Sequence, residues 1–278
     1  MNGLLHAARA ATETFNTFND KPVCLIPTGI QAVDSQIGGL FPGSAGILAA
    51  ATGAGKSSVK LEAAMYAASH GTKVGLIELE DTPDVVGTRV LSKFSGVDSR
   101  RIRTKAFDAH DRDRIQEALG ILAADAPDVL VEYAIGGSLE QVHAAIYRLA
   151  EAGCKMIWVD YIQKIRGGNN DRRNEVSFAY TTIQRIAAEA GAAVMVISQF
   201  SRQPDPTRKP RIWWLKESGD LENEARLILL CQRDADDSRV LHGYVAKSTV
   251  GGEGTEFEFK RGPSGLLEVF GGQEEEQF

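Results

Sequence analysis

The chain has 278 residues, 43% of them hydrophobic, which is enough apolar material for one large core or two small ones. Its formal charge of −6 excludes a protein that binds nucleic acid over its whole surface, but not one that gathers basic groups on a few loops. No apolar run approaches the roughly 20 residues that span a bilayer, and the start has no basic segment followed by an apolar one. The expectation is a cytoplasmic protein with no membrane partner. Cys24, Cys154 and Cys231 are widely separated and odd in number, which favours reduced thiols over disulfides or zinc.

Residues 3–18 can form an amphipathic helix with Leu4, Leu5, Ala8, Phe15 and Phe18 on one broad face. That helix either folds back on its own domain or packs as an arm on a neighbouring subunit. Residues 1–24 are thus read as an arm and linker, 25–271 as one domain, and 272–278 as an acidic tail. Residues 46–51 then read as a short buried strand and 58–69 as a helix. Between them lies Thr52-Gly53-Ala54-Gly55-Lys56-Ser57-Ser58, a phosphate-binding loop. Its glycines let backbone N–H groups curl towards a phosphate, Lys56 can reach the outer phosphates, and Ser57 can ligate magnesium. The helix would add its positive end to the same anion. Ala50 stands where the usual first glycine would be.

Further strand-like runs fall at 73–79, 128–133, 155–160, 193–198, 227–231 and 241–246, separated mostly by helical segments at 83–92, 112–124, 139–151 and 175–190. Apolar strands alternating with amphipathic helices predict an α/β fold with a mostly parallel sheet covered on both faces. Near the end, Gly-rich turns at 251–254 and 262–265 separate short strands, which predicts an antiparallel edge.

Three strands end in polar groups. Asp160 closes Met156-Ile157-Trp158-Val159-Asp160, where a carboxylate can hold magnesium beside a phosphate loop. Glu78, Glu80 and Asp81 close another. One of them polarises an attacking water, or they cap the helix that begins at Thr82-Pro83; Glu78 and Glu80 share a face by the period of two. Gln199 ends a third strand, either contacting the γ-phosphate or facing solvent. Two loops carry concentrated positive charge: 164–173, with Arg166, Arg172 and Arg173, and 201–211, with Arg202, Arg208, Lys209 and Arg211. Such groups contact nucleic-acid phosphates, or else belong to ordinary surface loops. Trp213-Trp214 reads as a buried wedge beside Leu215 rather than a base-stacking platform.

Together these residues resemble the hexameric replicative DNA helicases, the DnaB-like group and the helicase half of phage primase-helicases. Pro27-Thr28-Gly29, Asp34, Gly38-Gly39-Leu40 and Pro42-Gly43 resemble that family's entry into its RecA-like core. Leu79-Glu80 is similar to its Ser-Leu-Glu-Met element, Val159-Asp160-Tyr161-Ile162-Gln163 to its Asp-Tyr-Leu-Gln signature, Ile197-Ser198-Gln199 to its Ser-Gln sensor, and Lys216-Glu217-Ser218-Gly219 to its Arg-Glu-Ser-Gly element. The resemblance covers about residues 25–270. It implies a RecA-like ATPase using ATP and Mg2+, with Thr52 to Ser58 and Arg89 at the nucleotide, Ser57 and Asp160 at the metal, and Lys56, Glu80, Gln199 and Lys247 as catalytic groups. It further implies a ring, usually a hexamer, with single-stranded DNA in its channel, movement 5′ to 3′, the N-terminal helix clasping a neighbour, and a separate primase or loader as partner. A helical N-terminal domain or primase half normally accompanies such a core; without one, the chain reads as a minimal phage or plasmid form or as a truncated chain. Thr249 departs from the pattern, standing where the family places an arginine finger; Lys247 alone or Arg261 is left to serve. The leading expectation is an ATP-dependent translocase and helicase. The alternatives are a ring-forming assembly or loading factor with weak hydrolysis, and a RecA-like recombinase filament.

Overall fold

Runs of Val, Ile, Leu and Ala without intervening charge make strands that are buried on both sides. In the computed structural model, which describes Thr12 and residues 24–166, 172–200, 208–215, 219–262, 264–265 and 267–269, these are β1 (Ala45–Ala50), β2 (Val74–Glu78), β4 (Met156–Asp160), β5 (Ala193–Gln199) and β6 (Leu227–Arg233), with β3 (Val129–Tyr133) at the edge. The strands β7 (Val240–Ser248), β8 (Glu256–Arg261) and β9 (Leu267–Val269) complete a sheet of order β3-β2-β4-β5-β1-β6-β7-β8-β9. Pairing is parallel from β3 to β6 and antiparallel from β6 to β9, as the alternation and the terminal turns predict.

The helices are α1 (Gln31–Ile37), α2 (Lys56–Ser69), α3 (Pro83–Ser95), α4 (Ser99–Arg103), α5 (Ala109–Ala124), α6 (Leu139–Glu151), α7 (Arg172–Ala190) and α8 (Gly219–Glu224). Helix α2 starts two residues earlier than the sequence suggests, at Lys56 itself. Helix α5 starts at Ala109 because Asp108 and Asp111 cap it reciprocally. The short α1, α4 and α8 were not foreseen; none is long enough to show a clear apolar period. The expected N-terminal arm and acidic tail lie outside the described residues, apart from Thr12, which is helical.

Alternate strand residues feed two cores. Ile77, Ile157, Val159, Val194, Val196 and Ile228 meet α6 and α7 on one face. Leu76, Trp158, Met195, Ile197, Leu48 and Leu229 meet α1 and α2 on the other. All three cysteines are free, and burial pushes the thiols of Cys154 and Cys231 up to about 11 and about 12, so neither is a nucleophile at neutral pH.

The approach to the sheet is pinned against α2. Asp34 accepts hydrogen bonds from the Thr28 backbone and hydroxyl, both at 2.8 Å, and from the Gly29 backbone at 2.9 Å. Gly29 has a φ of 85°, and a Cβ there would lie 1.9 Å from the Ala63 carbonyl oxygen on α2. Only glycine allows this contact. Gly29→Ala is therefore expected to destabilise the fold by about 3 kcal/mol, through overpacking against helix backbone and a strained dihedral. Urea unfolding would detect it as a lower midpoint at unchanged slope.

Candidate nucleotide-binding site

In an open parallel sheet, ligands bind beyond the C-terminal strand ends where the strand order reverses. Here β1 lies between β5 and β6, and its last residue, Ala50, pairs with Gln199 and Cys231. Just beyond it is a cleft of about 290 Å³ lined by Thr52, Gly53, Gly55, Lys56, Ser57 and Ser58 from the loop, by Glu78, Glu80, Asp81 and Arg89, and by Asp160, Tyr161 and Gln199. Most of the nucleotide, metal and catalytic residues expected from the sequence thus lie around one cleft.

The loop has the backbone its glycines predict. Gly53 and Gly55 take φ values of 74° and 111°, and nothing lies within 4 Å of where a Gly53 side chain would begin. Ala54 is buried in the core and does not line the cleft. Lys56 is buried, and its Nζ donates to the carbonyls of Ala50 at 3.2 Å and Ala51 at 2.8 Å. Burial lowers its pKa, with Asp160 opposing. Ala50, which replaces the usual glycine, is fully buried as the last residue of β1, where a methyl group is accommodated.

The carboxylates divide by where β2 ends. Glu78 is its last residue and pairs in register with Asp160, so both point towards α2. Lys60, one turn after Lys56, bridges them at 2.5 Å to Glu78 Oε1 and 2.8 Å to Asp160 Oδ2. Burial opposes the charge on Lys60, but Asp160 and Glu78 outweigh it and raise its pKa. Burial likewise works against the Asp160 charge. Lys60, with hydrogen bonds from Lys60 and Ser57, holds that carboxyl below its usual range. Burial pushes Glu78 up, with Lys60 opposing.

Glu80, beyond the strand, does not continue the Glu78 face. Its side chain is 54% exposed and pairs with Lys164 at 3.3 Å. Asp81 is held by Arg89 of α3 in a close ion pair, and both side chains line the cleft. Ser57 and Asp160 present hard oxygen donors of the kind magnesium prefers, and the open Gly53 backbone suits close approach of a phosphate, so the residues present fit a magnesium nucleotide.

Other expected residues lie elsewhere. Lys247 does not line the cleft; its Nζ donates to the carbonyls of Glu222 and Asn223 at 2.6 and 3.1 Å, at the end of α8. Thr249 is exposed, and Arg261 closes its own turn through the Gly265 carbonyl. Arg166 is exposed just past a 3-10 turn, Ile162–Lys164. Arg172 and Arg173 begin α7, and Arg202 lies outside the described residues. Lys209 pairs with Glu256 at 2.8 Å and sits 4.4 Å over the Tyr244 ring, close to Arg208 along one groove. Arg211 lies 5.2 Å from the Trp213 ring centre. The tryptophan pair does not form a buried wedge: Trp214 packs edge-on against Phe200, but Trp213 is 64% exposed.

The sequence did not point to Lys60 or to Arg233, whose guanidinium donates to the Gly53 carbonyl at 2.7 Å. Nor did it link two of its own motifs, which meet where Gln163 donates to the Ser198 hydroxyl at 2.9 Å.

The model of the DnaB-like helicase C-terminal domain matches residues 26–255. The replicative DNA helicase DnaB of Leifsonia xyli subsp. xyli is 30% identical over 216 residues, which is 76% of this chain and 47% of that protein. The replicative DNA helicase DnaC of Bacillus subtilis is 26% identical over 243 residues, 83% of this chain and 53% of that one. The chain spans about half the length of these curated relatives. A solved ATPase domain superposes with a TM-score of 0.82 at 18% identity, covering 97% of this chain and 100% of that chain. A DnaB-like replicative helicase, described with its interactions with primase, gives 0.80 at 19%, covering 98% and 68%. The shared fold is the RecA-like P-loop core. With most of its length matched, from residue 26 to residue 255, the chain belongs to the family of DnaB-like helicase C-terminal domains.

Proposed function

We propose that this chain is the ATPase core of a ring-forming DNA translocase that acts in replication and unwinds duplex as it moves along single-stranded DNA. The observation that carries this reading is the convergence of Lys56, Ser57, Glu80, Asp160 and Gln199 on one cleft at the C-terminal edge of the parallel sheet. Relatives that match over the same core bear the names of replicative DNA helicases.

Bound ATP with magnesium supplies a terminal phosphoryl group for transfer to water, a reaction that depends mainly on positioning and charge stabilisation. The backbone of residues 52–58 and the positive end of α2 face the phosphates. Lys56 neutralises phosphate charge, Ser57 and Asp160 hold the metal, and Gln199 senses the outermost phosphate. Glu80 orients the water: it is the exposed carboxylate of the cleft, whereas Glu78 is committed to Lys60. Lys164, the partner of Glu80, begins the basic run at 164–173. The water-orienting group and a DNA-facing segment therefore share an ion pair, a direct route by which DNA can influence turnover. Six copies of these basic segments around a channel give a strong local field despite the acidic net charge. Glu80→Gln is expected to lower ATP turnover stimulated by single-stranded DNA by about 10²–10⁴-fold while nucleotide binding persists. Steady-state hydrolysis and nucleotide titration check both halves, and a Glu80→Gln protein that still turns over normally would move the base to another residue.

A second reading is a nucleotide-dependent ring or loading factor with weak hydrolysis. It is favoured by Thr249 in the finger position and by Lys247, whose amine is engaged by the carbonyls of Glu222 and Asn223. Thr249→Arg separates the two. If the finger is simply lacking, turnover rises at least about tenfold at unchanged nucleotide affinity. An unchanged rate would mean that another cation, such as Arg261, already serves.

A further inference from the structure

Three carboxylates crowd the inner end of the cleft. Ligand atoms of Glu78, Asp81 and Asp160 lie within 4.8 Å of one another, a spacing that suits a divalent cation. Two of them are already joined by an ammonium group of the protein. Lys60 Nζ lies 2.5 Å from Glu78 and 2.8 Å from Asp160, and the side chains of Lys60 and Glu78 are each only 2% exposed. The second Glu78 oxygen, Oε2, is buried with no hydrogen-bond partner among the described residues. Lys60 is thus no solvated helix lysine. It stands four residues after Lys56 on the same side of α2, beneath the phosphate loop.

We propose that Lys60 is a positioning residue that aligns Asp160 for magnesium and prevents the Glu78–Asp81–Asp160 cluster from capturing a divalent cation before nucleotide arrives. It engages Asp160 Oδ2 and so fixes the orientation of the carboxylate that Ser57 also bonds, much as an outer partner orients a metal ligand. It also changes the local charge balance. Three acids carry −3, and Lys60, Arg89, the partner of Asp81, and Lys56, whose charge acts on Asp160, add +3, leaving 0. A cluster with no net negative charge holds a divalent cation poorly until phosphate oxygens complete its shell. Without Lys60 the cluster becomes net negative, and the buried carboxylates of Glu78 and Asp160 lose the cation between them, so their attraction for a divalent ion rises. The inference rests on Asp160 being the magnesium carboxylate of the proposed ATPase site, but its test reads cation binding and does not depend on turnover.

The experiment is Mn2+ binding to the purified full chain without nucleotide, followed by the electron paramagnetic resonance signal of free Mn2+. Wild type, Lys60→Met and Lys60→Met/Glu78→Gln are compared, with thermal unfolding run alongside. The wild type should bind Mn2+ weakly, Lys60→Met should gain one site at least about tenfold tighter, and the double variant should lose it again. A purely structural lysine would move the melting temperature and create no Mn2+ site. Equal Mn2+ binding by wild type and a folded Lys60→Met overturns the proposal. If Lys60→Met fails to fold, the double variant, in which Asp160 has equally lost Lys60, is tested through nucleotide affinity. With Asp160 unbraced, the gain in nucleotide affinity on adding Mg2+ should shrink by about tenfold, and an unchanged gain overturns the proposal.

Discussion

The site depends on how α2 is seated on the sheet, and that seating is ionic as well as apolar. Beneath Lys56 and Ser57, Lys60 is driven between the ends of β2 and β4 and bonded to a carboxylate from each. Such a buried pair gives little net stability over an apolar replacement, yet losing one partner alone costs about 3–5 kcal/mol. It fixes a register: the helix can turn or slide only by breaking contacts with both strands. The Thr28–Gly29–Asp34 staple pins the same helix further along its length, where Gly29 lies against the Ala63 carbonyl. The phosphate loop is therefore held by a helix fixed at two points.

From that seat, contacts run outward to segments expected to face DNA. Gln163 bonds to Ser198, joining the turn after β4 to the end of β5. Glu80 meets Lys164 at the start of one basic segment. Phe200 and Leu215 pair in a bridge that closes the base of the other. Arg233 ties the loop itself to the end of β6, the last parallel strand before the antiparallel edge. These are polar contacts between neighbouring strand ends and turns, the kind of connection through which occupancy of one site can bias another.

The sequence was most informative where chemistry and local backbone coincide. The glycines of the phosphate loop, the apolar strand ending at Asp160 and the alternation of strands with helices all follow from residue type and spacing. What escaped depends on tertiary placement. A lysine within a helix reads as solvated, and nothing local shows that Lys60 faces two strand-terminal acids. The period of two links Glu78 to Glu80 only while the strand continues, and β2 stops between them. Arg233 becomes meaningful only once β6 is known to lie beside β1. Trp213 and Trp214 both lie in a 3-10 turn, Ile212–Trp214, which packs one ring against Phe200 and leaves the other exposed.

In the proposed function, ATP turnover in the cleft powers directed movement on single-stranded DNA. The most direct measurement is ATP-dependent displacement of streptavidin from biotin placed at either end of a single strand, using the purified assembly. Movement 5′ to 3′ would give faster release from the 3′ end, and none when ATP is replaced by a non-hydrolysable analogue. DNA-stimulated hydrolysis with no displacement from either end would contradict it and leave an ATPase that assembles on DNA without moving along it.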